Sequence, residues 1–162
     1  MKKLLTLSLV VLSGCVAPQR EPHISYPREA NADFAAPFDK VWSTVLLELA
    51  GEYPFVIANK ESGLLQSQPV IVASGMSVER QIDWMMERPT VFLGVWPSAR
   101  MILSVVLVKK SDTETALKIT SQCEAFESNV SKTWYACYSK GVIEHMLMSR
   151  IKHRLDAQTA SK

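Results

Sequence analysis

The chain has 162 residues, 48% of them apolar and 21% charged, with 18 lysines and arginines against 16 aspartates and glutamates. That length and apolar share suit one globular domain rather than a disordered chain or a multidomain one. A formal charge of only +2 leaves no basic excess to argue for nucleic acid or an anionic lipid surface as partner.

The chain opens with Met1-Lys2-Lys3, continues through an apolar run from Leu4 to Leu12, and reaches Ser13-Gly14-Cys15. Two cations, a short greasy core and small residues make a secretory signal peptide, and the run is too short to span a bilayer. Leu12-Ser13-Gly14-Cys15 is similar to the lipobox of bacterial lipoproteins. The resemblance implies cleavage before Cys15, so that residues 1–14 are lost and the Cys15 thiol carries a diacylglycerol. It implies three acyl chains in all, and at about 0.8 kcal/mol per buried CH₂ these hold a protein durably. Val16 stands where lipoproteins retained in the inner membrane typically show Asp, which implies the outer membrane, facing the periplasm. Loss of Lys2 and Lys3 brings the 18 basic residues level with the 16 acidic ones.

Cys123 and Cys137 then remain in an oxidising compartment, where an even remainder reads as one disulfide. Cys123 shares the alternation of Leu117 and Ile119, and Cys137 lies just ahead of the last helix, so the bridge would tie a strand to a helix start. Closing such a loop stabilises by on the order of 3 kcal/mol. Two buried free thiols are the alternative.

From Val16 to Ala36 the prolines Pro18, Pro22 and Pro27 and the lack of any apolar period predict an extended tether, residues 15–36 counting the lipidated cysteine. At about 3.1 Å per residue it would hold the domain up to roughly 60 Å from the bilayer. Pro37, Asp39 and the stripe Val41, Trp42, Val45, Leu46 and Leu49, stopped by Gly51, predict a helix over about 37–50. Phe55 to Ala58 and Leu64 to Val72 read as strands around the turn residues 59–63, with Pro69 weakening the second. Ser77 caps a short helix with Val78, Ile82, Met85 and Met86 inward, closed off by Pro89. Thr90 to Trp96 reads as either a strand or an apolar loop. Met101 to Lys109 and Thr115 to Phe126 flank Ser111-Asp112-Thr113-Glu114 as an antiparallel hairpin with one solvated face. The last helix is expected from about Ser139 to Leu155, with Val142, Ile143, Met146, Leu147, Ile151 and Leu155 inward. Arg150, Lys152, His153 and Arg154 crowd its final turn, where the helix dipole favours cations. Residues 158–162 read as a frayed tail.

Amphipathic helices at both ends and strands between them bury their apolar faces only as an α+β layer, an antiparallel sheet with the N- and C-terminal helices packed on one face. One domain over residues 37–157 follows. Pro37-Phe38-Asp39-Lys40-Val41-Trp42, followed by Glu61-Ser62-Gly63-Leu64-Leu65, resembles the helix-then-hairpin opening of the helix-grip domains in BamC-type outer-membrane lipoproteins. The resemblance covers about residues 36–156 in order of elements, with residues 76–99 an apolar insertion outside it.

Catalytic signatures are absent from the sequence. Gly-x-Ser-x-Gly, Walker and dinucleotide patterns do not occur. His23 sits in the tether, and His145 and His153 read as solvated helix residues. Glu79, Asp83 and Glu87 repeat every fourth position beside Arg80 and Arg88 and read as a solvated helix face. No enzyme activity, metal or cofactor is expected. The suggestive stretch is residues 82–101, rich in Trp and Met, large soft side chains common at adaptable protein contacts. It yields Trp84, Phe92 and Trp96 as candidate partner-binding residues, Trp84 foremost because it breaks the inward stripe, while Trp42 and Trp134 read as packing residues. The expected role is a non-catalytic, lipid-anchored periplasmic domain that binds envelope proteins within an assembly or secretion complex. The alternative is a carrier of a small hydrophobic ligand or lipid.

Overall fold

The computed structural model describes residues 26–160, with side chains as far as Gln158. The expected signal peptide, Cys15 and His23 lie outside the described residues. The elements run β1 (Ala30–Phe34), α1 (Phe38–Leu49), β2 (Phe55–Asn59), β3 (Leu64–Ser67), β4 (Val70–Ser74), α2 (Val78–Met85), β5 (Met86–Glu87), β6 (Ser98–Lys109), β7 (Thr115–Glu127), β8 (Thr133–Ser139) and α3 (Val142–Ala160). The fold is α+β: one open antiparallel sheet of eight strands with helices packed on it. No described helix is long and apolar enough to cross a membrane.

The spine is the hairpin β6–β7, paired from Ser98↔Phe126 to Lys109↔Thr115. Its strands are long enough, 12 and 13 residues, for the free edge of each to take two short strands in line. β6 takes β3 along Ser104–Val106 and β4 along Ser98–Met101. β7 takes β1 along Thr115–Ile119 and β8 along Cys123–Glu127. The strand expected over Leu64–Val72 is thus two, because Pro69 brings no N–H to the ladder. Ser67 fills that gap: its hydroxyl accepts from Leu103 N–H at 2.9 Å and donates to Gln68 C=O at 2.8 Å.

Alternation on the hairpin decides which face is covered. Ala99, Met101, Leu103, Val105 and Leu107 on β6, with Leu117, Ile119, Cys123 and Ala125 on β7, are buried. Val41, Trp42, Val45 and Leu49 of α1 and Ile143, Leu147, Met148, Ile151 and Leu155 of α3 fill the space above them. The opposite face carries Arg100, whose guanidinium meets Glu124 at 2.6 Å and lies 4.1 Å from the Trp134 ring.

Expectations at both ends of the domain need correcting. The tether does not reach Ala36: β1 already belongs to the sheet, with Ala30 and Phe34 turned into the core. ANADF alternates apolar and polar residues, but two of its three apolar positions are alanines and the signal is faint; the edge of β7 recruits it through backbone pairing. The last helix starts at Val142 rather than Ser139, because Ser139 ends β8 and Gly141 takes φ +76°. It runs on to Ala160, past the expected end at Leu155, and Met148 is buried where Met146 was expected. Arg150 and Arg154 are therefore interior to α3, and their guanidinium groups clamp α1. Arg150 meets Glu48 at 2.8 Å and Glu52 at 2.9 Å, and Arg154 meets Glu48 at 2.6 Å. The hydrogen bond from Arg150 holds the Glu48 carboxyl below the usual range.

Candidate functional site

Residues 86–97 leave α2, pass through β5 and turn at Phe92-Leu93 before β6 begins. The turn closes with Gly94 N–H donating to Val91 C=O at 3.0 Å, so the apolar run is a loop and not a strand. Phe92 is 85% exposed and Leu93 68%. Leu93 takes φ +57° and Lys132, in the neighbouring β7–β8 loop, φ +52°. Left-handed backbone at a residue with a Cβ persists only where the surroundings over-determine it.

What over-determines it is Glu127. This carboxylate, the last inward position of β7, is wholly buried. It accepts from the backbone N–H of Asn129 at 2.7 Å, Val130 at 3.0 Å and Ser131 at 2.6 Å, from the Ser131 hydroxyl at 2.8 Å, and across the loops from Val95 N–H at 3.2 Å. Burial alone would push its pKa up. The bonds from Ser131, Val130 and Asn129 outweigh that and hold it well below the ordinary carboxylate range. Two more bonds sew the loops together: Asn129 Nδ2 donates to Leu93 C=O at 2.9 Å and Ser128 N–H to Val95 C=O at 2.9 Å. An exposed apolar turn is thus held in one shape by a buried charge. Sequence reasoning passed over Glu127; the signal was an acid at an inward strand position followed directly by Ser128-Asn129-Val130-Ser131, a run of donors.

Of the three aromatic candidates, the structure exposes two and buries one. Trp96 is 1% exposed, with Tyr135 edge-on at 5.6 Å and the Arg88 guanidinium 5.5 Å from its ring. It is a core residue, because β6 begins two residues later and draws it inward. Trp84 is 57% exposed. It is not part of the Phe92 turn: at about 100° per residue it points roughly 140° away from Glu79, whose carboxylate accepts from Trp96 N–H at 3.4 Å. Asp83 and Glu79 form an ion-paired edge of α2, meeting Arg88 at 2.8 and 4.0 Å.

Cys123 and Cys137 face each other across β7 and β8 as direct register partners. Both are free thiols, so the expected bridge is not made here, and Cys137 lies within a strand rather than at a helix start. Opposed residues on antiparallel strands have Cα atoms about 4.5–5.5 Å apart, inside the range a disulfide spans. Burial pushes the Cys123 thiol up to about 11, which makes its thiolate scarce at neutral pH. In the reduced, folded protein a maleimide is therefore expected to label Cys137 faster than Cys123, and both equally after unfolding. Mass mapping of the labelled peptides checks this, and equal native rates would show that Cys123 is not buried in the folded protein.

His145 is not solvated as its sequence position suggests: its ring stacks on Tyr26 at 5.1 Å. Beside it the carboxyl of the buried Glu144 accepts from the Ser121 hydroxyl, while Glu144 Oε2 and His145 Nε2 have no partner among the described residues. The Ser121 hydroxyl is thus turned to a carboxylate and not to a histidine, so these residues do not form a nucleophile–base pair of the serine–histidine kind. Among the described residues no group of three His, Cys, Asp or Glu is placed to hold a metal ion. No protein-family model matches the chain, and no curated protein matches it.

Proposed function

We propose that this chain is a lipid-anchored, non-catalytic domain of the bacterial envelope, held at the outer membrane on its periplasmic side, that recognises a protein partner with the Phe92-Leu93 turn. The observation that carries the reading is the Glu127 clamp. A soluble surface has no use for an exposed phenylalanine and leucine fixed by a buried carboxylate and left-handed backbone, whereas a docking surface gains affinity when its apolar anchors are ordered before contact. The apolar N-terminal run ending in Ser13-Gly14-Cys15 supports the address, and the order helix, hairpin, long hairpin, helix supports kinship with BamC-type domains.

The test is photocrosslinking in living cells, with a benzophenone amino acid at position 92 and, as the control, at Asp112 in the turn closing the opposite end of β6–β7. A discrete adduct at 92 with none at 112 is expected. Absence of an adduct at 92, or the same adducts from both positions, would refute recognition through this turn.

A further inference from the structure

We propose that the domain lies against the bilayer that anchors it, with Trp84 seated among the phospholipid headgroups, an inference that rests on acylation of Cys15. The argument begins with the length of chain available. Tyr26 stacks on His145, Pro27 lies against Gly141, and the Arg28 guanidinium reaches Glu87 at 3.7 Å and stands 4.4 Å from the Tyr138 ring. The domain thus extends at least to Tyr26, and no more than the ten residues Val16 to Ser25 stand between it and Cys15. Even fully extended, that stretch spans at most about 40 Å. A folded unit of this size is itself roughly 30–40 Å across, so the point where the tether joins it stays near the headgroups.

Trp84 lies close to that point. Lys140 donates its backbone N–H to Met85 C=O at 2.9 Å and its ammonium to Asp83 C=O, and the next residue, Gly141, is the one packed on Pro27. The C-terminal end of α2 and the residues Tyr26-Pro27 thus pack on neighbouring residues, Lys140 and Gly141. Arg80 and Trp84, four residues apart, share the exposed side of α2. A tryptophan beside an arginine suits the headgroup layer, where the indole sits between acyl chains and water and the guanidinium pairs with phosphate. Tethering supplies the high local concentration that lets so small a contact hold.

The experiment uses the full lipidated protein reconstituted into phosphatidylethanolamine and phosphatidylglycerol vesicles containing a brominated phospholipid, which quenches tryptophan within the bilayer. Trp42 and Trp96 are buried and Trp134 lies half-buried under Arg100, so Trp84 is the most exposed reporter. Quenching in the parent, cut at least twofold in Trp84→Phe, is the expected result. Protein that floats with the vesicles but shows no quenching, or the same quenching without Trp84, would overturn the seating and leave the anchor standing. Protein that does not float would overturn both.

Discussion

Replacing Glu127 with alanine is expected to lower the midpoint of thermal unfolding by on the order of 10 °C, the range reached when a buried hydrogen-bond network is broken. The carboxylate terminates donors from Val95, Asn129, Val130 and Ser131, and an alanine leaves them facing a void. Glu127→Gln keeps the shape but brings an NH₂ into a ring of donors, and should recover less than half of the loss. The pH dependence separates a charge effect from a packing effect. Because the folded-state pKa is depressed, the stabilisation is whole above the ordinary carboxylate value of about 4.3 and drains away as pH falls toward the depressed one. The gap in melting temperature between parent and Glu127→Ala should therefore narrow steadily below about pH 4. A gap that stays constant to strong acid would show that ionisation contributes nothing. Amide exchange in residues 91–95 and 128–131 should quicken in the variant, since both loops share this anchor.

Gly141→Ala is expected to destabilise the fold by on the order of 2–3 kcal/mol, measured from the denaturant midpoint. Two costs add. Gly141 has φ +76°, where a side chain is strained, and a Cβ there would fall 2.0 Å from Pro27 C=O, a backbone atom that cannot swing aside. Relief requires Tyr26 and Pro27 to lift from the N-terminus of α3, so protease cleavage near residues 26–29 should accelerate more than cleavage elsewhere. Unchanged cleavage together with unchanged stability would mean that the segment before β1 is not docked. Gly51→Ala is the control, since nothing lies within 4 Å of a Cβ there.

Legibility followed the size of the apolar signal. The β6–β7 hairpin, with five buried side chains alternating on one strand, and α1, with a stripe at helical spacing, could be drawn from residue order. β1 could not: Ala30-Asn31-Ala32-Asp33-Phe34 has little to alternate, and its place comes from the vacant edge of β7. Trp84 was visible as an unusual surface aromatic because it breaks the inward stripe of its helix, whereas Phe92 was named only as part of an apolar stretch. Trp96 was misread for the same reason that it is rich in contacts, since neither Arg88 nor Tyr135 is near enough in sequence to reveal that they enclose it.

The order of residues by itself determined the fold class, the main hairpin, the covering helices and the N-terminal features that resemble a lipoprotein, all of which depend on local composition or on periods of two and 3.6 residues. Only the tertiary structure decided that Ala30–Phe34 joins the sheet, which aromatics face water, that Cys123 meets Cys137 strand to strand, and that Glu127 holds the Phe92 turn. Each of these depends on residues distant in sequence or on an edge left open by other strands, and hydrophobic periodicity carries no information about such pairings.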